Sequence, residues 1–137
     1  MKHQWNLEVR SYELDMHRHV NNATYLNYIE AARMDFLRTA GFDYQAFQSR
    51  GYSLFVSEIK IAYRAPAFLH DRLTVVTEAL KRKRLSGVFR QTIYRGETVI
   101  CIADVSWVCV NSDGRPAPIP REFDYPEFYP ENGTIEV

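Results

Sequence analysis

Apolar and polar residues alternate along the start of the chain. Trp5, Leu7 and Val9 are apolar and the residues between them are polar, which is the period of a half-buried β-strand. The pattern predicts a first strand over residues 5–12.

A different period begins after a polar stretch at residues 15–22. Apolar residues recur there at helical spacing, and they are Tyr25, Ile29, Ala32 and Phe36. Asn21 or Asn22 is suited to cap the start of such a helix, and Gly41 follows its end. These signals predict one amphipathic helix of about 17 residues. A further helical turn is predicted over residues 44–50.

The remainder of the chain favours long strands separated by short turns. The predicted strands cover residues 52–64, 72–82, 88–95 and 98–110. The last three are expected to form an antiparallel meander. The final strand carries apolar residues on both faces, which predicts a central place in the sheet. From about residue 111 the chain is rich in proline and is expected to run as an irregular arm over the surface.

The helix must bury its apolar stripe, and the sheet is the only large partner available. The sequence therefore predicts an α+β fold, with a curved antiparallel sheet of about five strands around one long central helix. At 137 residues the chain fits a single domain over residues 1–137. Because pairing with a second copy would cover a sheet edge, we expect a homo-oligomer, either a dimer or a tetramer.

Composition narrows the function classes. With 46% hydrophobic residues the chain can form a core, so disordered classes are excluded. Lys plus Arg and Asp plus Glu are both 17, which gives zero net charge and argues against a nucleic-acid partner. Residues 79–96 nevertheless carry six cations and no acid, whereas residues 121–137 carry five acids. The first run is either a local anion site or a solvated hairpin.

Two further features bear on location. Cys101 and Cys109 lie eight residues apart on one predicted strand, about 26 Å in an extended chain, which is too far for a disulfide. We therefore expect reduced thiols and a cytoplasmic location. No apolar run approaches the roughly 20 residues that span a bilayer, so no membrane span is expected.

Candidate chemistry concentrates just before the predicted helix, in the segment 15–25. It holds a carboxylate at Asp15, imidazoles at His17 and His19, and carboxamides at Asn21 and Asn22. The first N–H groups of a helix lack intrahelical partners and can stabilise an oxygen that gains negative charge. A nearby carboxylate can attack a carbonyl carbon or deprotonate a water. The segment suits acyl transfer, although each residue also fits an ordinary turn, surface or capping role.

Other chemistries have less support. His17, His19 and Asp15 can be read as metal ligands, but no further ligand pair stands at a recognisable spacing, so no metal or redox cofactor is expected. The cysteines lie on a buried-looking strand without a histidine partner, which argues against a catalytic thiol.

The sequence also resembles hot dog fold thioesterases of the 4-hydroxybenzoyl-CoA thioesterase type, and plant acyl-ACP thioesterases with their single-domain relatives. The resemblance covers residues 5–123 and is carried by Asp15-x-x-x-His19-Val20-Asn21-Asn22-x-x-Tyr25, by Glu30 and Arg33 in the helix, by Ser57-Glu58-Ile59, Tyr63-Arg64-Ala65-Pro66-Ala67 and Asp71-Arg72-Leu73, and by Asp113-Gly114-Arg115-Pro116. It implies a thioester hydrolase whose active site lies between two subunits.

The resemblance also implies roles for individual residues. Asp15 takes the place of the catalytic carboxylate, and the N–H groups around Asn22 and Ala23 take the oxyanion site. His19 and Asn21 are implied to shape the water and substrate site. Four residues are candidates to bind the substrate. Tyr25 is expected in the pocket, and Arg82, Lys83 and Arg84 are candidates to bind the phosphates of CoA or of phosphopantetheine.

Three positions leave alternatives open. Glu58 is either a second catalytic group that faces Asp15 or a strand residue whose carboxylate reaches solvent. Arg18 stands where many relatives have glycine, so the local turn geometry is an open question. His70 also replaces a common glycine, with an effect expected only on a turn.

We therefore expect a hydrolase of acyl-CoA or acyl-ACP thioesters, with Asp15 as nucleophile or general base. The main alternative is a non-catalytic acyl-thioester binding or regulatory protein with the same pocket. A dehydratase on the same fold is a third reading. Acyl chain length, and CoA against ACP, are left open by the sequence.

Overall fold

The computed structural model describes residues 2–131, so Glu136 of the acidic C-terminal run lies outside the described residues. Five strands form one sheet: β1 (Lys2–Glu8), β2 (Ser53–Tyr63), β3 (Arg72–Arg82), β4 (Ser86–Arg95) and β5 (Thr98–Val110). Two helices, α1 (Asn22–Thr39) and α2 (Tyr44–Ser49), lie between β1 and β2. Single 3-10 turns occupy Ser11–Glu13, Arg121–Phe123 and Pro126–Phe128.

All strand pairs are antiparallel, and the strand order is β1-β3-β4-β5-β2. The predicted meander of β3, β4 and β5 is confirmed. As expected, β5 is an interior strand, between β4 and the edge strand β2, while β4 is the middle strand of the five. Register shifts in the β2–β5, β3–β4 and β4–β5 pairs bend the sheet.

Helix α1 packs its apolar stripe on the concave face of this sheet, as the pattern predicted. The buried helix residues are Tyr25, Tyr28, Ile29, Ala32, Phe36 and Leu37. The first three turns belong to one core cluster with Val75, Ile93 and Val105 from the sheet. The predicted α+β architecture of a curved five-stranded sheet around one long helix is confirmed.

Phe36 and Leu37, in the last turns of α1, belong to a second, aromatic cluster, with Phe47, Phe89 and Trp107. The C-terminal arm completes this cluster, since Ile119, Phe123 and Phe128 are all buried in it. The arm lies over the surface, as expected, since most of its residues are exposed or half-buried, but these three side chains are buried, which the sequence did not indicate. The backbone is irregular as predicted, but its aromatic side chains form part of the core.

Strands β1 and β4 differ from their predicted bounds: β1 begins at Lys2 rather than at residue 5, and two further boundaries differ for local physical reasons. Strand β1 ends at Glu8 rather than at residue 12, because hydrogen bonds between Arg10 and Glu13 draw the chain into a 3-10 turn. Strand β4 begins at Ser86, so Gly87 lies within the strand rather than in a turn.

Gly87 makes room for the Trp107 indole. A Cβ added at Gly87 would lie 2.5 Å from Trp107 Cζ2 and 2.8 Å from Cε2, well inside van der Waals contact. Because Gly87 is not among the glycines with positive φ, its backbone accepts any residue and the constraint is purely one of space.

We predict that Gly87→Ala lowers the free energy of unfolding by about 1–3 kcal/mol, because it overpacks a filled site. Urea unfolding measures the change, and Ser86→Ala at the start of the same strand serves as control. The double variant Gly87→Ala, Trp107→Phe should lose less free energy of unfolding than the two single variants lose together, since the smaller ring removes the clash. Unchanged stability in Gly87→Ala would contradict the described contact.

Candidate active site

Asp15 begins a tight loop over residues 15–19, here called the Asp15 loop. Leu14 and Val20 pair across its base in an isolated antiparallel bridge. The Asp15 N–H donates to the His19 carbonyl at 2.9 Å, and the Arg18 N–H donates to the Asp15 carbonyl at 3.0 Å. Asp15 is therefore fixed by its backbone at the base of a closed turn.

The Asp15 loop keeps a left-handed residue without glycine. Arg18 has φ 63° and His70 has φ 68°, and no other non-glycine residue in 2–131 has a positive φ. These are the two positions where the family resemblance implied glycine. The turn geometry that Arg18 left open is thus left-handed, at the steric cost that a Cβ brings to this conformation.

The Asp15 carboxylate is oriented by its own loop. Oδ1 accepts a hydrogen bond from the His17 N–H at 2.8 Å. Oδ2 lies 3.5 Å from His19 Nδ1, and the Asp15 side chain is 20% exposed. The His17 ring stacks on the His19 ring with centroids 5.6 Å apart. The carboxylate is therefore held in one orientation beside an imidazole while it remains open to small molecules.

The start of α1 lies next to this loop, and its cap corrects one expectation. Asn21 is the N-cap, and its Oδ1 accepts the Ala23 N–H at 2.9 Å. The Ala23 N–H is therefore already engaged and does not serve as a free oxyanion donor. Within residues 2–131 the Asn22 N–H has no acceptor. Of the two N–H groups expected to stabilise the oxyanion, only that of Asn22 is therefore free to do so among the described residues.

A cavity of about 260 Å³ opens at the start of α1. Its walls come from the end of the Asp15 loop, the first turn of the helix, and the end of β2 with the segment that follows, namely His19, Val20, Asn22, Tyr25, Tyr63, Arg64, Ala65 and Pro66. His19 thus connects the cavity to the Asp15 carboxylate. The cavity brings together His19, Asn22 and Tyr25, three of the residues that the sequence pointed to.

Tyr63 also lines this cavity, although the sequence motif that contains it indicated no role for its side chain. Its hydroxyl donates to the Asn22 carbonyl at 3.1 Å, and its ring lies 5.6 Å from that of Tyr25. Tyr25 in turn accepts the Ala67 N–H on its hydroxyl at 3.2 Å, and burial raises its pKa. The strand pattern alone could not indicate Tyr63, because only the tertiary fold brings the end of β2 to the helix.

Glu58 is not brought to this cavity within the chain. Its side chain is 60% exposed, and its ion partner is Lys60 at 4.0 Å. It follows a register shift in β2 and alternates with Ile59, which packs on the core. Of the two alternatives for Glu58, the solvent-reaching carboxylate is the one found in the protomer.

Arg82 requires a correction. Its side chain is only 3% exposed and donates to Asp124 at 3.1 Å. The guanidinium lies 5.2 Å from the Trp107 ring centroid and 4.8 Å from that of Tyr129. A guanidinium enclosed in this way binds the C-terminal arm to the sheet and is not available to a phosphate.

Lys83 and Arg84 lie elsewhere. Lys83 lines a second cavity of about 280 Å³ together with Lys60, Lys81, Glu58 and Asp104. Arg84 is exposed in the turn between β3 and β4. Lys83 and Arg84 are therefore available to bind a charged ligand, whereas Arg82 is not.

The buried thiols do not extend the site. Cys101 and Cys109 are free and buried, and burial raises the pKa of their thiols to about 12 and about 11. They are protonated near neutral pH and poor nucleophiles. Across residues 2–131, no group of three or more His, Cys, Asp or Glu is placed to hold a metal ion. The same part of the chain has no helix that is long and apolar enough to cross a membrane.

The chain is similar in sequence to two proteins of known family. The chain is 34% identical over 110 residues to the long-chain acyl-CoA thioesterase FadM of Escherichia coli K12, covering 79% of this chain and 83% of FadM. It is 33% identical over 109 residues to the acyl-CoA thioester hydrolase YbgC of Escherichia coli O157:H7, covering 79% and 81%.

A crystal structure of a probable thioesterase from Bartonella henselae superposes with a TM-score of 0.82 at 26% identity, covering 88% of this chain and all of that one. The predicted hot dog thioesterase fold is thereby confirmed. Residues 9–126 match the family model of the thioesterase-like superfamily, and the chain belongs to this family.

Proposed function

We propose that the protein hydrolyses acyl-CoA thioesters in the cavity at the start of α1. One observation carries the proposal. His19, beside the Asp15 carboxylate, and Asn22, whose N–H has no acceptor among residues 2–131, line the same cavity. Hydrolysis of a thioester needs a nucleophile or base on one side of the carbonyl and a donor for its oxygen on the other. The names of FadM and YbgC support CoA as the thiol carrier.

In the proposed reaction the thioester oxygen accepts the Asn22 N–H, and the positive end of the α1 dipole stabilises the charge that develops on it. Asp15 acts in one of two ways. As a nucleophile it bonds to the carbonyl carbon, the C–S bond breaks, and water then hydrolyses the mixed anhydride. As a general base it takes a proton from water, the hydroxide attacks, and the proton passes to the departing thiolate. Both routes give a free acid and a thiol.

His19 and Asn21 have supporting roles in this proposal. His19 lies against the Asp15 carboxylate and forms part of the cavity wall, so it shapes the place where water and substrate meet. Asn21 holds the first turn of α1 through its bond to Ala23. Tyr25 and Tyr63 form the aromatic side of the cavity, where we place the atoms next to the thioester.

The edge strand β2 supports a homodimer. Among residues 2–131 it pairs only with β5, and its other edge has no partner strand. Phe55 and Val56 on it are 55% and 44% exposed. Tyr63 from the same strand is 46% exposed and lines the cavity. Edge pairing with a second copy would cover these apolar side chains and close the cavity from the open side. The two free cysteines support a reducing location, which we infer to be the cytoplasm.

We predict that Asp15→Asn reduces kcat by on the order of 10²-fold or more, because the amide neither attacks a carbonyl nor accepts a proton from water. Release of free thiol from a panel of acyl-CoAs measures turnover, and circular dichroism checks that the variant is folded. Wild-type turnover in Asp15→Asn would contradict the role of Asp15. A wild-type protein that binds acyl-CoA without releasing thiol would instead indicate a binding protein.

For the assembly, light scattering at micromolar concentration should give a dimer or a larger oligomer. Val56→Lys places a charge on the exposed edge of β2 and should shift the protein toward monomer with loss of activity. Met34→Lys, on the exposed side of α1, is the matched control and should leave the assembly unchanged. A fully active monomer would contradict a site closed by a partner.

For the nucleotide, we predict that Lys83→Gln raises KM for an acyl-CoA by up to about fivefold while kcat changes less. A partly exposed cation contributes about 1 kcal/mol or less, and it is remote from the bond that breaks. The matching acyl-pantetheine, which lacks the nucleotide, should show no change in KM. Lys2→Gln on β1 is the control. Equal increases in KM for both substrates would mean that Lys83 does not bind the nucleotide.

A further inference from the structure

We propose that Glu13 is a positioning residue, whose buried carboxylate joins the Asp15 loop to helix α1 and thereby sets the placement of Asp15 relative to the Asn22 N–H. The inference rests on the proposed function, because it assigns a role in the placement of the same two groups. Glu13 is not part of the cavity wall and does not touch the substrate in this proposal.

Four donors converge on the Glu13 carboxylate. Arg10 supplies three of them, with its backbone N–H at 2.8 Å from Oε1 and its Nε and Nη2 at 3.1 and 2.6 Å from Oε2. Tyr28 supplies the fourth, with its hydroxyl 2.8 Å from Oε1. Tyr28 belongs to the buried face of α1. The carboxylate thus connects the turn after β1 directly to the second turn of the helix.

The backbone of Glu13 makes the link to the catalytic loop short. The Glu13 carbonyl accepts the N–H of Asn21, the N-cap of α1, at 2.9 Å. Its neighbour Leu14 forms the bridge with Val20 at the base of the Asp15 loop, and Asp15 follows. Glu13 is therefore linked to both reacting groups. Its carbonyl binds the N-cap residue that precedes Asn22, and its backbone leads through Leu14 to Asp15.

The charge of Glu13 is essential to this link. Burial acts to raise the pKa of this carboxyl, but the hydrogen bonds from Arg10 and Tyr28 outweigh burial and hold the pKa below its usual range. The group is therefore an anion that accepts at both oxygens. Gln at this position offers one acceptor oxygen and an NH₂ that faces either the Arg10 guanidinium or the Tyr28 hydroxyl. Glu13→Gln consequently disrupts one side of the link while it preserves size.

The chain offers a matched control for loss of stability alone. Asp124 also accepts from an arginine and a tyrosine, with Arg82 Nη2 at 3.1 Å and the Tyr129 hydroxyl at 2.6 Å. This second group packs on the aromatic cluster, which meets the last turns of α1 rather than the first. An 18-residue helix separates its two ends by about 27 Å. Asp124→Asn therefore tests what the loss of such a group does far from the cavity.

The experiment compares kcat and KM of Glu13→Gln and Asp124→Asn with wild type, well below the melting temperature of each. For Glu13→Gln we expect kcat to fall about tenfold, because small displacements of reacting groups cost rate steeply, and KM to stay within about twofold. For Asp124→Asn we expect a lower melting temperature with wild-type kcat. A wild-type kcat in Glu13→Gln, or an equal loss of kcat in both variants, would overturn the inference.

A double-mutant cycle separates this inference from the proposed function. If Glu13 acts through Asp15, adding Glu13→Gln to Asp15→Asn should leave the residual rate of the single Asp15 variant unchanged. A further tenfold loss in the double variant would mean that Glu13 acts on something else, which overturns the positioning role alone. High activity of Asp15→Asn by itself would instead overturn the proposed function.

Tyr28→Phe gives a milder version of the same test if Glu13→Gln does not fold. It removes one of the four donors and keeps the ring in the core. We expect a loss of kcat in the same direction, with little change in KM, whereas Tyr129→Phe at the control site should keep wild-type kcat. Equal kcat in the two tyrosine variants would contradict the positioning role.

Discussion

The burial of one helical stripe against a concave antiparallel sheet is the constraint on which the rest of the structure depends. The apolar face of α1 extends from Tyr25 to Leu37 and is buried along its whole length. Because both ends of the helix are fixed by this packing, its first turn is held at the end of β2, beside the Asp15 loop. The candidate site is thus a consequence of how the helix lies in the sheet.

The two core clusters pack against different ends of α1. The cluster under the first turns of α1 supports the cavity, whereas the aromatic cluster at its far end recruits the C-terminal arm. An arginine, a carboxylate and a tyrosine stand at each end of this arrangement, at Glu13 near the cavity and at Asp124 near the arm. The same chemistry therefore serves placement of reacting groups at one end and attachment of the arm at the other.

Much of the fold could be predicted from the sequence, since alternation and helical spacing report directly on burial. The long helix, its cap at Asn21 and the meander all follow from such local signals. The buried orientation of Arg82 could not be predicted, because the register shift between Ala79 and Lys81 changes which face the end of β3 presents. The burial of Phe123 and Phe128 also escaped prediction, since an irregular proline-rich segment has no period to reveal it.

The candidate site was predictable in part for a similar reason. Asp15, His19 and Asn22 lie close together in sequence, so a local pattern could indicate them. Tyr63 is 41 residues from Asn22, and only the pairing of β2 with β5 brings it to the cavity. That the Ala23 N–H is engaged depends on one rotamer of the Asn21 side chain, which sequence does not specify.

The most direct test of this account is a crystal structure of the wild-type protein with an acyl-CoA analogue in which a methylene replaces the thioester sulfur. Such a ketone binds as the substrate does but is not cleaved. The account predicts that its carbonyl oxygen lies about 3 Å from the Asn22 nitrogen, with the carbonyl carbon facing the Asp15 carboxylate. A ketone whose oxygen makes no hydrogen bond at the start of α1, or which lies away from Asp15, would contradict the account.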